Sequence, residues 1–507
     1  MAEIPDPPKT PESLAYETPD DQRPASVMPT EQELESEAAP RTTGHDPYAA
    51  LRFRQYVIFS SAWMVSVVGN QMTSAALGWE IFDRTGNELN LGWIGGIQAI
   101  PLLVLALPAG AIADYFDRRR IMFITSLCAA AISVGFATMS YSPSPHYLKI
   151  MYGLLLLQST VLVLGRPARS SFLPTIVPPR IFANAVTWNA SFFQVATMVG
   201  PALAGLIIAF SLRRYGNVRL AYVIDALCAC AFAVTMILMA KPRYGSTHSG
   251  LSTQDSGLKN QDSALRKLTA GIRFVWRTKI ILATMTLDLF AVLLGGAIYL
   301  LPVFAKDILH VGSVGFGWLR AADAIGALAM ALLIAHTPPM KKAGRAMLLA
   351  VGLFGLATIT FGLSRNFYLS FLCIFMIGAF DNISVVVRHT LVQVLTPDSM
   401  RGRVSAVNNI FIGASNELGG LESGVTAKLF GQLALSMGIV HTATAAKQWG
   451  ATSSVVFGGI GTILTVVVIA LLFPQVRRFG RLDHAHPIEP ATPQSEPARH
   501  EEKAVGA

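Results

Sequence analysis

A chain of 507 residues that is 52% apolar and only 14% charged is too apolar for an ordinary soluble protein, in which about a quarter of residues are charged. The net charge of +9 does not mark a nucleic-acid binder, because the basic residues fall in short segments between apolar blocks. Cys128, Cys228, Cys230 and Cys373 all lie inside those blocks, where they read as small buried hydrophobes; neither a disulfide framework nor a metal site is expected.

In chain order, residues 1–50 are rich in Pro, Glu, Asp, Ser and Thr and read as a disordered tail, with no cleavable signal peptide. A helix needs roughly 20 apolar residues to cross a ~30 Å hydrocarbon core. Six such blocks lie near 55–80, 89–113, 120–141, 147–171, 181–212 and 218–240, which defines a first half over 51–241. Gly245–Ser263 is a flexible polar linker. Leu265, Leu268, Ile272, Val275 and Trp276 then recur at helical spacing among Arg266, Lys267, Arg273 and Arg277, so 242–278 is expected to carry an amphipathic helix on the membrane surface. Six more blocks lie near 279–305, 313–336, 344–363, 366–388, 403–430 and 451–474, within a second half over 279–481, and a second tail occupies 482–507. The expected fold is therefore an all-α membrane protein of twelve transmembrane helices in two six-helix halves. The blocks are too long, and too little alternating, for β-barrel strands.

Basic residues concentrate in alternate connecting segments: Arg118–Arg120, Arg166, Arg169, Arg180, Lys341, Lys342, Arg345, Arg388, Arg401 and Arg403 against few on the other side. This bias is expected to place both termini in the cytoplasm. The halves also carry an internal repeat at an offset of 219 residues: Arg169 matches Arg388, Pro178 matches Pro397, Asn189 matches Asn408, Gly200 matches Gly419 and Gly205 matches Gly424. Duplicated halves point to a transporter with its site near mid-membrane between them.

The stretch Gly110-Ala-Ile-Ala-Asp114-Tyr-Phe-Asp117-Arg118-Arg119-Arg120 between the second and third blocks resembles the loop signature of the major facilitator superfamily. Gly165-Arg166-Pro167-Ala168-Arg169 and Thr396-Pro397-Asp398-Ser399-Met400-Arg401-Gly402-Arg403 resemble the branch of the enterobactin exporter and the transmembrane secretion effectors. The resemblance implies alternating access, usually driven by protons. It also implies a cytoplasmic gate of Gly110, Asp114, Asp117 and Arg118 facing Arg401 and Arg403, where a carboxylate meets a helix N-terminus. Asp117 departs from the family's usual glycine, and the matching loop Thr337–Arg345 lacks both acids. Gly200, Pro201 and Gly205 resemble the Gly-Pro motif of exporters, which packs helices closely.

Acids deep in apolar spans are costly and so tend to be functional. Asp288, Asp323, Asp381, Glu417 and Glu422 are the candidates for proton coupling. Arg320, one turn from Asp323, offers that acid an ion-pair partner instead. In the family fold the first, fourth, seventh and tenth spans line the cavity, so Asn70, Gln71, Gln158, Asp288 and Asp381 are the cavity candidates. A Gly-x-x-x-x-Gly-Lys-Ser/Thr motif is absent, which argues against ATP-driven pumping, and nothing resembles a catalytic triad or a metal-ligand cluster. The chain is thus expected to be no enzyme, to need no cofactor or metal, and to have as partners a small-molecule substrate, protons and the lipid bilayer as a monomer. The expected function is proton-coupled export of siderophore-like or drug-like molecules. The alternatives are a proton-coupled importer, or a receptor or scaffold on the same fold.

Overall fold

The computed structural model describes residues 46–141, 144–239, 260–337 and 342–480. The expected tails and the linker 245–263 lie outside these residues, apart from 46–50 and 260–263. The described residues are overwhelmingly helical. Six long helices open the chain: α1 (Arg54–Thr85), α2 (Glu88–Tyr115), α3 (Arg118–Tyr141), α4 (Tyr147–Phe172), α5 (Phe182–Tyr215) and α6 (Arg219–Leu238). After α7 (Asn260–Arg277) come α8 (Lys279–Leu294), α9 (Gly312–His336), α10 (Ala343–Leu363), α11 (Phe367–Leu395), α12 (Asp398–Ser436) and α13 (Ala443–Leu472).

Ten helical segments among the described residues are long and apolar enough to cross a membrane. The other two long helices, α1 and α12, are more polar: α1 carries Arg54, Glu80, Asp83 and Arg84, and α12 carries Arg401, Arg403, Glu417, Glu422 and Lys428. The α8 segment runs on to Ile308, but Gly295 and Gly296 interrupt it before a short 3-10 turn and a π-helical turn at Phe304–Ile308. Caps set several boundaries. The Asn87 side chain accepts from Leu89 N at the start of α2, while Gly86 ends α1 in the left-handed conformation that glycine tolerates (φ 56°).

Helices α1–α6 pack chiefly on one another, and so do α8–α13; the main contacts between the groups are α2 with α12 and α5 with α9. Glycines allow both crossings. A Cβ on Gly205 would lie 2.6 Å from Ser313 O and 2.9 Å from Gly317 Cα, and one on Gly424 would lie 2.5 Å from Gly92 Cα. The repeat-related glycines serve matching contacts, since Gly200 backs onto Val68 O and Gln71 of α1, and Gly419 onto Val292 O and Leu293 O of α8.

The apolar core is forked. One cluster takes residues from both groups, among them Leu77, Phe82, Phe136 and Ile208 with Leu301, Phe304, Phe316 and Val455. The other two clusters stay within a group: Tyr56, Phe59, Ala113, Phe172 and Met236 in the first, and Leu287, Met347, Leu391, Val404 and Ile469 in the second. The bundle is therefore joined at the end that carries Asp83 and Lys306, and divided at the end that carries the Gly110–Arg120 loop.

Three sequence expectations need correction. Arg388, counted among connecting-segment cations, lies inside α11 and is only 1% exposed. Cys128 and Cys230 are exposed on the bundle surface rather than buried, because their helix faces turn outward. On α7 the inward residues are Phe274 and Val275, with Gly271 against Arg403 O of α12, whereas Trp276 is 68% exposed.

Candidate functional site

Five ionisable groups meet near the joint between the helix groups. Arg320 of α9 donates to Ser74 Oγ of α1 at 2.9 Å, across the joint. Around its guanidinium, within electrostatic reach, stand Asp323, Glu417 and the Tyr299 hydroxyl, which itself donates to Glu417 Oε2 at 2.7 Å. Asp381 on α11 lies close enough to Asp323 to repel it. Close packing holds the two acids there: a Cβ on Gly378, one turn before Asp381, would meet Asp323 O at 2.0 Å. Arg320, offered by the sequence as a partner for Asp323, is instead shared between α1 and the acids of α9 and α12.

Asp288 is placed differently. It forms a buried ion pair with Arg388 of α11. A pair this deep holds because each charge satisfies the other; removing either partner strands a buried charge. Beside it, a narrow void of about 10 Å³ is lined by Asp288, Asp381, Ser384, Val351 and Phe354. Glu422 lies further along α12, where Ser423 Oγ donates to it at 3.4 Å.

On the first group, Gln158 Nε2 of α4 donates to Asn70 Oδ1 of α1 at 3.3 Å, so these two cavity candidates meet. Gln71 faces Gly200 on α5. Beyond them, towards the divided end, a cleft of about 310 Å³ lies among α1, α4 and α5, walled by Phe59, Trp63, Arg166, Arg169, Asn189 and Phe193.

Three buried acids escaped the sequence reading: Glu88, at the first position of α2, and two whose partners come from other turns and helices. Asp225 of α6 accepts from Thr73 Oγ1 at 2.8 Å and Ser133 Oγ at 2.7 Å. Glu80 of α1 accepts from the Tyr222 hydroxyl at 2.8 Å and pairs with Arg84 at 2.8 Å. Both stand near the ends of their apolar blocks, where an acid reads as interfacial. Glu80 did carry a signal, since Arg84 follows at the i+4 spacing of a helical ion pair.

The loop signature is tied to its own group. Asp117 Oδ1 caps α3 by accepting from Arg119 N at 2.8 Å and Arg120 N at 3.0 Å. Arg118 donates to Ser171 O at the end of α4 (2.7 Å), and Arg119 to Ile237 O and Met239 O at the end of α6 (2.8 and 2.6 Å). Cations there meet the negative ends of helix dipoles. Asp114 is exposed, with no hydrogen bond or ion pair among the described residues, and a Cβ on Gly110 would meet nothing within 4 Å. In this conformation the structure does not bring Asp114 to Arg401 or Arg403.

Such a many-spanned helical bundle, with ionisable groups gathered at the joint of its helix groups, has the fold of the major facilitator transporters. A bacterial homologue of the human lysosomal transporter Spinster superposes with a TM-score of 0.65 at 13% identity, covering 86% of this chain and 100% of that one. A D-xylose–proton symporter does so with a TM-score of 0.59 at 14% identity, covering 83% and 99%. The chain belongs to the transmembrane secretion effector family, whose model matches residues 45–457. Among its relatives are the staphyloferrin A transporter of Staphylococcus aureus, 23% identical over 74% of this chain and 89% of that protein. The multidrug efflux pump Tap of Mycobacterium tuberculosis is 25% identical over 75% and 90%. The enterobactin exporter EntS of Escherichia coli is 24% identical over 82% and 91%. The protein is thus a multi-span transporter and not an enzyme.

Proposed function

We propose that this protein is a proton-coupled exporter of small organic molecules, siderophore-like or drug-like, acting as a monomer in a bacterial inner membrane. In this reading all twelve long helices other than α7 cross the bilayer as two six-helix halves, with both chain ends in the cytoplasm. The observation that carries it is the forked core: the halves share one core at the Asp83–Lys306 end and keep separate cores at the loop-signature end. That arrangement fits one state of an alternating-access cycle, open towards the cytoplasm. The export direction is supported by relatives described as an enterobactin exporter and a multidrug efflux pump.

Arg320 suits the coupling role because it touches both halves at once. A proton on Glu417 or Asp323 removes a negative charge facing its guanidinium, which alters its hold on Ser74 across the joint. Asp381 shares that field through Asp323. Asp288, held by Arg388, serves the second half's own structure instead. In the opposite state, Asp114 would close on the Arg401–Arg403 end of α12, where the helix dipole favours a carboxylate.

The test is flux in proteoliposomes against a panel of siderophores and drugs, with and without an imposed pH gradient. Asp381→Asn and Glu417→Gln are expected to lose gradient-driven efflux while keeping substrate exchange at equal pH. Gradient-driven flux unchanged in both variants, or substrate moving in the same direction as the protons rather than against them, would overturn the reading.

A further inference from the structure

The repeat brings two arginines to matching places, and their charges are handled in opposite ways. Arg388 is neutralised by Asp288 inside the second half. Arg169 has no carboxylate partner among the described residues; its guanidinium lies 4.8 Å over the ring of Trp63. Arg166, one turn earlier on α4, forms no ion pair among the described residues, and the acid it senses, Glu417, lies across the joint in the other half. The two guanidiniums are also close enough to repel each other.

Both line the 310 Å³ cleft on the first half, which is at the small end of the range for ligand pockets. The rest of the wall is aromatic and hydrogen-bonding. Trp63 and Phe193 stack with centroids 6.1 Å apart and planes 13° from parallel. Trp63 Nε1 and Asn189 Oδ1 are buried without a hydrogen-bond partner. Asn408, the repeat mate of Asn189, has no unpartnered side-chain atom of this kind among the described residues.

We propose that this cleft binds an organic anion carrying a flat ring. Arg166 and Arg169 hold the anionic group, the exposed Phe193 ring, backed by Trp63, packs against the aromatic part, and Trp63 Nε1 donates to a further acceptor. Guanidinium pairs recognise planar anions through parallel N–H donors, and desolvated walls strengthen that recognition. The exporter reading supplies the reason such a molecule reaches the cleft, so the inference rests on that reading for its role but not for binding.

Three probes share one ring and differ in charge: 2-naphthoate, 2-naphthalenemethanol and 2-naphthylmethylamine. Calorimetric titration of the full-length protein in lipid nanodiscs is expected to show naphthoate binding at least about tenfold tighter than the other two, the scale of a charge-assisted hydrogen bond. Arg169→Gln should erase that preference and Arg169→Lys should keep part of it. Ser170→Asp, on the cleft wall beside Arg169, should turn the preference towards the amine. If Arg169→Gln does not accumulate, Arg166→Gln, at an exposed position, gives the same reading. Equal binding of the three probes, or a naphthoate preference that survives Arg166→Gln and Arg169→Gln, would overturn the proposal. Naphthoate-selective binding without pH-driven efflux would leave the anion site standing and remove the exporter. Efflux without charge-selective binding would do the reverse.

Discussion

The two ends of the bundle are held by different physics. At the joined end the two helix groups meet through backbone contact at Gly205–Gly317 and Gly92–Gly424, the ring pair Trp79–Phe316 (5.5 Å), and polar links from Arg320 to Ser74 and Lys306 to Asp83. At the divided end, most of the loop's charges are satisfied within their own helix group. Asp117 caps α3, and Arg118 and Arg119 close the ends of α4 and α6. Separation there strands no buried charge, so the cost of opening is low. The joined end, by contrast, has no local substitute for its interhelical contacts.

Asp288→Asn tests the claim that the divided end is stable because charge is settled inside each helix group. The variant leaves Arg388 buried without its partner, which typically costs about 3–5 kcal/mol. We expect a large fall in thermal stability in detergent, and a double variant, Asp288→Leu with Arg388→Met, that recovers most of it. A double variant as unstable as the single one would show that packing around α8 and α11, rather than charge, holds this region.

Gly205→Val attacks the joined end. The new side chain would sit against Ser313 O and the Gly317 backbone, and neither can swing aside as a flexible side chain would. Overpacking costs typically about 1–3 kcal/mol, which multiplies the population open at this end by roughly 5–150-fold. The readout is thiol labelling of Ala305→Cys, a fully buried position in the shared core, after removal of the four native cysteines. Labelling from the joined side should accelerate by at least about tenfold on this scale. Equal labelling rates would mean that the glycine contact does not set the closure.

The pattern of legibility follows from what a one-dimensional reading can detect. Apolar blocks and glycine spacing are local, so the helices, the loop signature and the 219-residue repeat could all be read directly. The grouping of Asn70 with Gln158 as cavity candidates was accessible too, because the family resemblance orders the spans. Partners from distant helices were not. Arg388 looked like a connecting-segment cation because it closes an apolar block, and only the fold shows Asp288 beside it. Arg320 was seen with Asp323 on its own helix, but its reach to Ser74 depends on the joint. Asp225 and Glu80 were hidden by their positions near block ends, although the hydroxyls that satisfy them come from three different helices.

The smallest expected effect belongs to the Asp83–Lys306 pair, which joins α1 to the segment after α8 across the same end. Both side chains are 39% exposed, so solvent and salt screen the attraction. Pairs of this kind contribute about 0–1 kcal/mol. Asp83→Asn should therefore raise the Ala305→Cys labelling rate by less than about fivefold, and the difference should shrink as salt is raised. If Asp83→Asn opened this end as strongly as Gly205→Val, closure would be electrostatic and the glycine contacts secondary. A small, salt-dependent change would instead place the seal in the apolar and backbone contacts. The ion pair would then act as an alignment for the two helix ends, formed once the surfaces beneath it have already met.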